Sequence, residues 1–242
     1  MKKLFLSSAL TTTLVAGSAQ AVELTGGYVD LGYSTFTDSA LGDKYNLSGS
    51  GELAFSKSFS TQLDLGGYRL QNLDGTTTNW TLHANLHTAS NASFGAFIGR
   101  ENSDGADFDF YGIEAGFDAG KATIEGYLGR QEVVDFSGLD GTLFGISVVS
   151  DIDDKWQFSA NYDLVDNIAG ILNSGMFSIG ANYAVADNAE IYGTLGTAHL
   201  SSPIVSGSSN EAYVGFGVRV NLGNARGTTF GRRGVLSKLP GL

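Results

Sequence analysis

The feature that most restricts this chain is a period of two. It runs for about ten to twelve residues at a time and recurs twelve times between residues 22 and 222. In "YNLSGSGELAF", residues 45–55, Tyr45, Leu47, Leu53 and Phe55 alternate with Asn46, Ser48, Ser50 and Glu52. In "NWTLHANLH", Trp80, Leu82, Ala84 and Leu86 fall on one side, and Asn79, Thr81, His83, Asn85 and His87 on the other. Successive side chains of a strand point to opposite faces, so each stretch is a strand with one apolar and one polar face. Two architectures accept such strands. A soluble sandwich turns the apolar faces inward, and a membrane barrel turns them out to lipid.

Four features favour the barrel. The strands are long enough for a tilted bilayer crossing, whereas sandwich strands average nearer five or six residues. Their number is even. Tight connections near Lys57, Asn91, Gly120, Asp153 and Asn188 alternate with longer ones at 37–44, 72–77, 101–107, 132–140, 166–174 and 200–210. That is the pattern of short turns at one rim and loops at the other. Aromatic residues (Tyr45, Phe55, Trp80, Phe94, Trp156, Tyr162, Phe177, Tyr183) gather towards the ends of the apolar faces, as interfacial girdles do. The polar faces are mostly Gly, Ser, Thr and Asn with an acid on many strands, where a soluble surface would carry far more Lys. The expected fold is all-β: a transmembrane antiparallel up-and-down barrel of about twelve strands over residues 22–222. No later stretch offers eighteen consecutive apolar residues, so any span must be a strand.

The first 21 residues read as a cleaved signal peptide. Lys2 and Lys3 form a basic start, a short apolar run follows, and Ala19-Gln20-Ala21 is an A-x-A cleavage signal. The chain has no Cys, so nothing staples the exported domain.

Charge is uneven. The formal net charge is −11, and without Lys2 and Lys3 twelve cations face 25 acids. Nucleic acid is an unsuitable partner for such a chain. Four of the twelve cations, Arg226, Arg232, Arg233 and Lys238, lie after Leu222, where there is no acid. Residues 223–242 are thus a basic tail, expected in the periplasm or inside the lumen. A basic segment beside an acidic lumen has a Coulombic reason to enter it. Its apolar end, Val235, Leu236, Leu239 and Leu242, favours docking on a surface.

The opening "GYVDLGYSTF", the hairpin series and the closing "AYVGFGVRVNL" resemble bacterial outer-membrane porin-like β-barrels of Gram-negative bacteria over residues 22–222. The resemblance implies an outer-membrane location, contact with outer-membrane lipids and lipopolysaccharide, and passage of small hydrophilic solutes, in a form compatible with a homo-oligomer. General porins of this kind usually have sixteen strands and end on an aromatic residue. Here the last strand closes on Val218, Val220 and Leu222, and twenty residues follow.

No catalytic constellation stands out. His83 and His87 lie four apart on one strand, roughly 13 Å, too far to share a metal without another element. They read as lumen-facing polar side chains. The acidic stretches "NSDGADFD" and "DIDDK" lack the full calcium-loop pattern and read as solvated turns. Neither a cofactor nor a metal is expected, and the chain is not read as an enzyme. The expected function is a porin for passive diffusion of small hydrophilic solutes. The pore-lining candidates are Asp30, Glu52, Asp64, His83, His87, Glu114, Asp118, Glu125, Asp163, Glu190, Glu211 and Arg219. Nine acids among them outweigh the single arginine on charge, so the lumen is expected to prefer cations. The alternative is a closed structural or adhesive outer-membrane barrel that carries no current.

Overall fold

The computed structural model describes residues 22–37, 42–71, 75–89, 91–104, 106–134, 138–168, 170, 172–202, 208–223 and 227–239. The expected signal peptide, residues 1–21, lies outside them. Twelve strands follow one another. They are β1 (Glu23–Phe36), β2 (Asp43–Ala54), β3 (Phe59–Leu70), β4 (Thr77–His87), β5 (Ala92–Asn102) and β6 (Phe108–Asp118), then β7 (Ala122–Val133), β8 (Asp140–Asp151), β9 (Trp156–Ile168), β10 (Leu172–Ala186), β11 (Ala189–Ser201) and β12 (Ser208–Leu222). Each pairs antiparallel with its neighbours in sequence. β1 then pairs with β12 from Gly27 opposite Leu222 to Phe36 opposite Tyr213, and the sheet closes into a barrel. Closure leaves no strand edge unpaired, which a sheet in a hydrocarbon layer requires.

The alternation excludes a one-residue slip of register, which would send every apolar side chain to the polar face. Leu31, Leu47, Leu65, Ile113, Leu128 and Leu195 all point outward and stay more than half exposed. Tyr45, Phe55, Trp80, Phe94, Trp156, Tyr162 and Phe177 join them on the outer face. On this face Tyr33 packs against Tyr45 with ring centroids 5.0 Å apart and planes tilted by 55°, and Trp156 against Tyr183 at 4.8 Å and 52°. Arg69, Arg100 and Arg130 also point outward at the long-loop rim. Arg100 meets Asp109 there at 2.5 Å, and Arg130 meets Asp140.

The short turns close one rim. In the turn between β8 and β9, Asp153 accepts the backbone N–H groups of Lys155 and Trp156 at 2.8 Å each, which holds its carboxyl below the usual carboxylate range. The connection between β9 and β10 is shorter than the alternation suggests. β9 runs to Ile168 and β10 starts at Leu172, so the expected 166–174 loop is mostly strand.

The core lies inside the barrel, not between layers. At the long-loop end the inward positions become apolar: Phe36, Phe110, Leu143, Val165 and Met176 are all buried there. This differs from the uniformly small and polar lumen that the alternation suggests. The partner that covers these side chains is the segment after β12, which contributes Val235 and Leu239 to the same cluster.

Candidate functional site in the barrel lumen

β12 ends at the short-turn rim, and the chain turns back into the lumen through Gly223, whose φ of 80° lies in the left-handed region. It crosses the rim over a bulge in β1 between Leu24 and Gly26. Gly227 N–H donates to Thr25 O at 3.0 Å. A Cβ on Gly26 would stand 2.6 Å from the Gly227 Cα, so only glycine lets the two backbones cross here. From that point the segment rises along β2 to β7 and ends in a single 3-10 turn, Leu236–Lys238, among the apolar residues of the long-loop end.

Inward acids receive it step by step. Glu52 accepts the Thr229 N–H at 2.6 Å and the Thr229 hydroxyl at 2.9 Å. Gln62 accepts the N–H groups of Thr229 and Phe230 and donates to Phe230 O at 2.6 Å. Glu125 accepts the Gly231 N–H at 3.2 Å. Arg233 donates from Nε and Nη2 to Glu114 at 3.1 and 2.8 Å, and from Nη2 to Glu125. Glu101 takes three successive N–H groups, Val235 at 2.6 Å and Leu236 and Ser237 at 2.8 Å each, and the Tyr68 hydroxyl at 2.6 Å. A carboxylate at the start of a turn accepts exactly those N–H groups that have no partner within the turn. At the far end Lys44 donates to the carbonyls of Ser237 and Leu239 at 2.8 and 2.7 Å.

The wall behind these contacts is itself hydrogen-bonded over much of its area, with Asn85 an exception whose two amide atoms are buried without a partner. His83 bridges two acids, with Nδ1 2.7 Å from Glu114 and Nε2 3.0 Å from Asp64. Asp64 further accepts from Ser50 and from Gln62. His87 lies 2.8 Å from Ser60 and 2.9 Å from Ser93, and 3.7 Å from Glu52. His83 and His87 thus bond to different side chains, and no cluster of metal-ligating side chains forms among the described residues.

Towards the short-turn end the opposite wall, β9 to β12 with β1, carries no comparable cover, whereas at the long-loop end its Val165, Met176, Ala198 and Tyr213 lie in one cluster with Val235 and Leu239. Gln157, Ser159 and Asn161 of β9, Asn182 of β10 and Tyr192 and Thr194 of β11 point inward and remain partly exposed. Its charges are paired loosely. Arg219 stands 3.4 Å from Asp30 and 3.5 Å from Glu190, between the rings of Tyr28 and Tyr192 at 4.6 and 5.8 Å. Asp30 also accepts from Asn46 at 3.1 Å and Tyr192 at 3.0 Å. Asp163 accepts the Tyr127 hydroxyl at 2.6 Å and meets Lys238 at 3.1 Å. Glu211 points inward, opposite Ala198 and partly exposed. Asp118 sits apart, at the short-turn rim, where it accepts the Gly120 N–H at 2.8 Å.

A closed barrel of twelve antiparallel strands, outward apolar belt, short turns at one rim and loops at the other is the outer-membrane architecture. The sequence profile of the Gram-negative porins matches residues 67–202. The chain belongs to the Gram-negative porin family. It is therefore an outer-membrane channel protein, and its short-turn rim is the periplasmic one. Three solved structures share the fold of this porin. The KdgM porin in complex with disordered oligogalacturonate superposes with a TM-score of 0.60 at 11% identity, covering 80% of this chain and 98% of its own. The KdgM porin alone gives 0.58 at 10% identity, with the same coverage. An outer-membrane channel from Pseudomonas putida F1 gives 0.58 at 10% identity, over 85% of this chain and 98% of that one. No curated protein sequence matches this porin.

Apart from Asp118, the candidates read from the sequence separate into two sets. Glu52, Asp64, His83, His87, Glu114 and Glu125 belong to the wall under the C-terminal segment, and Asp30, Asp163, Glu190, Glu211 and Arg219 to the bare wall. Three contributors escape sequence reasoning: Lys44, Gln62 and Glu101. Glu101 falls two and four residues after the inward Gly99 and Phe97, so its phase was available. Its place beside "NSDGADFD" reads as loop.

Proposed function

We propose that this porin lets small hydrophilic solutes diffuse passively across the outer membrane, with a weak preference for cations, and that residues 227–239 narrow its lumen to a corridor along β9–β12 and β1. The observation that carries the reading is the partly water-exposed polar strip on that wall. Its side chains are neutral amides and hydroxyls, plus three partly exposed acids (Asp163, Glu190, Glu211) and the buried Asp30, against Arg219 of the wall and Lys238 of the C-terminal segment. A net negative strip raises local cation concentration and repels anions. The preference is weak because the other inward acids already face Arg233 or backbone N–H groups of the C-terminal segment. Selection then rests on lumen size and charge, with no chemical step. In this reading the outward belt meets outer-membrane lipids and lipopolysaccharide.

Planar-bilayer current across a KCl gradient tests it. A reversal potential of the cation-selective sign is expected, and anion selectivity would sink the proposal. A second reading, a barrel closed at rest, draws on the apolar cluster at the long-loop end, where Leu143, Val165 and Met176 meet Val235 and Leu239. It predicts no current from the intact chain, and current once the C-terminal segment is loosened.

A further inference from the structure

Arg233 sits in a cage made by the wall. Its guanidinium spans Glu114 and Glu125 and lies over the Tyr127 ring at 4.2 Å, with Phe97 at 5.7 Å; the side chain is 2% exposed. A planar guanidinium presents N–H groups at its edge to carboxylates and its face to aromatic rings, and this cage supplies both. The important point is what holds the cage in shape. Glu114 is oriented by His83 at 2.7 Å, and Tyr127 by Asp163 at 2.6 Å. Phe97 packs edge to face with Tyr127 at 6.2 Å, in space left by Gly112 and Gly129, where a Cβ would approach its ring to 2.5 and 2.9 Å. The strands bring the parts together directly, since Glu114 stands opposite Tyr127 and Glu125 opposite Gly116 in the β6–β7 ladder. Every residue of the cage and of its supports lies on a barrel strand, although the C-terminal segment adds to them: Gly231 N–H donates to Glu125, and Lys238 lies over the Tyr127 ring at 5.3 Å and against Asp163 at 3.1 Å. The recognition surface therefore belongs to the barrel, and Arg233 is the cation that happens to be tethered nearest to it. Glu125, 18% exposed, leaves the cage open to the lumen on one side.

We infer that this cage is a guanidinium-binding site of the lumen wall, and that free guanidinium-bearing cations of the arginine class compete with the chain's own Arg233 for it. The solute's route to the cage rests on the channel reading above. Two carboxylates buried side by side persist only with a bound proton or a counter-cation, so a cage emptied of Arg233 favours another cation in competition with protons. An ammonium satisfies the carboxylates but gives up the flat stacking on Tyr127 and the side-on fork to Glu114, so the site discriminates by shape as well as charge.

The test uses the full-length protein in detergent micelles carrying Arg233→Ala, which empties the cage and keeps the rest of the segment. Calorimetry with methylguanidinium chloride is expected to show saturable binding, at least tenfold tighter than methylammonium. Adding Glu125→Gln is expected to weaken it at least tenfold. No saturable binding, equal affinity for the two cations, or indifference to Glu125→Gln overturns the inference. A second measurement needs no variant. In the wild-type protein methylguanidinium is expected to speed chymotryptic cleavage after Phe230 several-fold, and methylammonium is not; equal rates with both overturn the inference. Bilayer current separates this site from the channel reading. Binding without current removes the channel and leaves the site, whereas current without binding does the reverse.

Discussion

The two halves of the barrel interior use similar residues to opposite ends. On β3 and β4 the inward Ser60, Gln62, Asp64, Thr81, His83 and Asn85 are fully buried. On β9 to β11 the equivalent Gln157, Ser159, Asn161, Asn182 and Thr194 stay partly exposed. Strand geometry and composition differ little between the walls. What differs is how the acids are countered: the second half sets its own Arg219 between Asp30 and Glu190, and the first half has no inward arginine of its own among the described strand residues. The first half concentrates Glu52, Asp64, Glu101, Glu114 and Glu125, and a segment rich in Arg and free N–H groups has folded onto them. The second half carries mostly amides and hydroxyls, which water satisfies as well as a peptide does. A wall of acids attracts a strap, and a wall of amides leaves a corridor.

Glu101→Ala should break this contrast most. It strips the acceptor from three buried N–H groups and from Tyr68, and each orphaned donor costs about 1–3 kcal/mol. We expect undocking of the 3-10 turn, seen as rapid protease cleavage within 227–239 and a rise in bilayer current. Unchanged current and protection would mean that the two halves are not held apart by this carboxylate. Gly26→Val should come next. Its side chain occupies the place of Gly227, and overpacking of this kind costs about 1–3 kcal/mol. The strap is expected to remain at the periplasmic rim, with a barrel that still shows a heat-modifiable gel shift. A gel shift lost together with the strap would show that the crossing is needed for the barrel itself.

On the bare wall the effects are electrical more than structural. Arg219→Gln takes one of two cations from the strip and should move the reversal potential further towards cation selectivity. Asp30, nearly buried, loses its counter-charge but keeps Asn46 and Tyr192, so stability should fall by only about 1 kcal/mol. Asn161→Asp should be the mildest. We expect a change in stability within about 0.5 kcal/mol and a small shift of reversal potential in the same direction. A destabilisation as large as that of Glu101→Ala would place Asn161 in a packed wall and erase the comparison.

Much of this was legible in the chain. Tyr45, Leu47 and Leu53 against Ser48, Ser50 and Glu52 state the strand, its two faces and the side that Glu52 takes. The same alternation predicts closure, because twelve two-faced strands in lipid leave no tolerable edge. Less legible were the positions where phase meets a loop. Lys44 and Glu101 stand at strand ends, where alternation is short and neighbouring Asp, Gly and Ser residues signal a turn. Phe97, Phe110 and Tyr127 are aromatic on the polar face, which reads locally as a blemish in the pattern. Each is explained by a residue more than a hundred positions away.

The sequence by itself determined strand number and facing, since these follow from a period of two and from the need to pair every backbone group; it leaves register open, because a slip by two residues keeps both faces. It also determined that a basic, partly apolar segment would follow an acidic barrel. Only the tertiary structure decided which acids remain for the lumen. That depends on how the segment crosses Gly26 and which side chains stand within hydrogen-bond reach of its N–H groups. Such contacts are long-range and directional, and no periodicity along the chain encodes them.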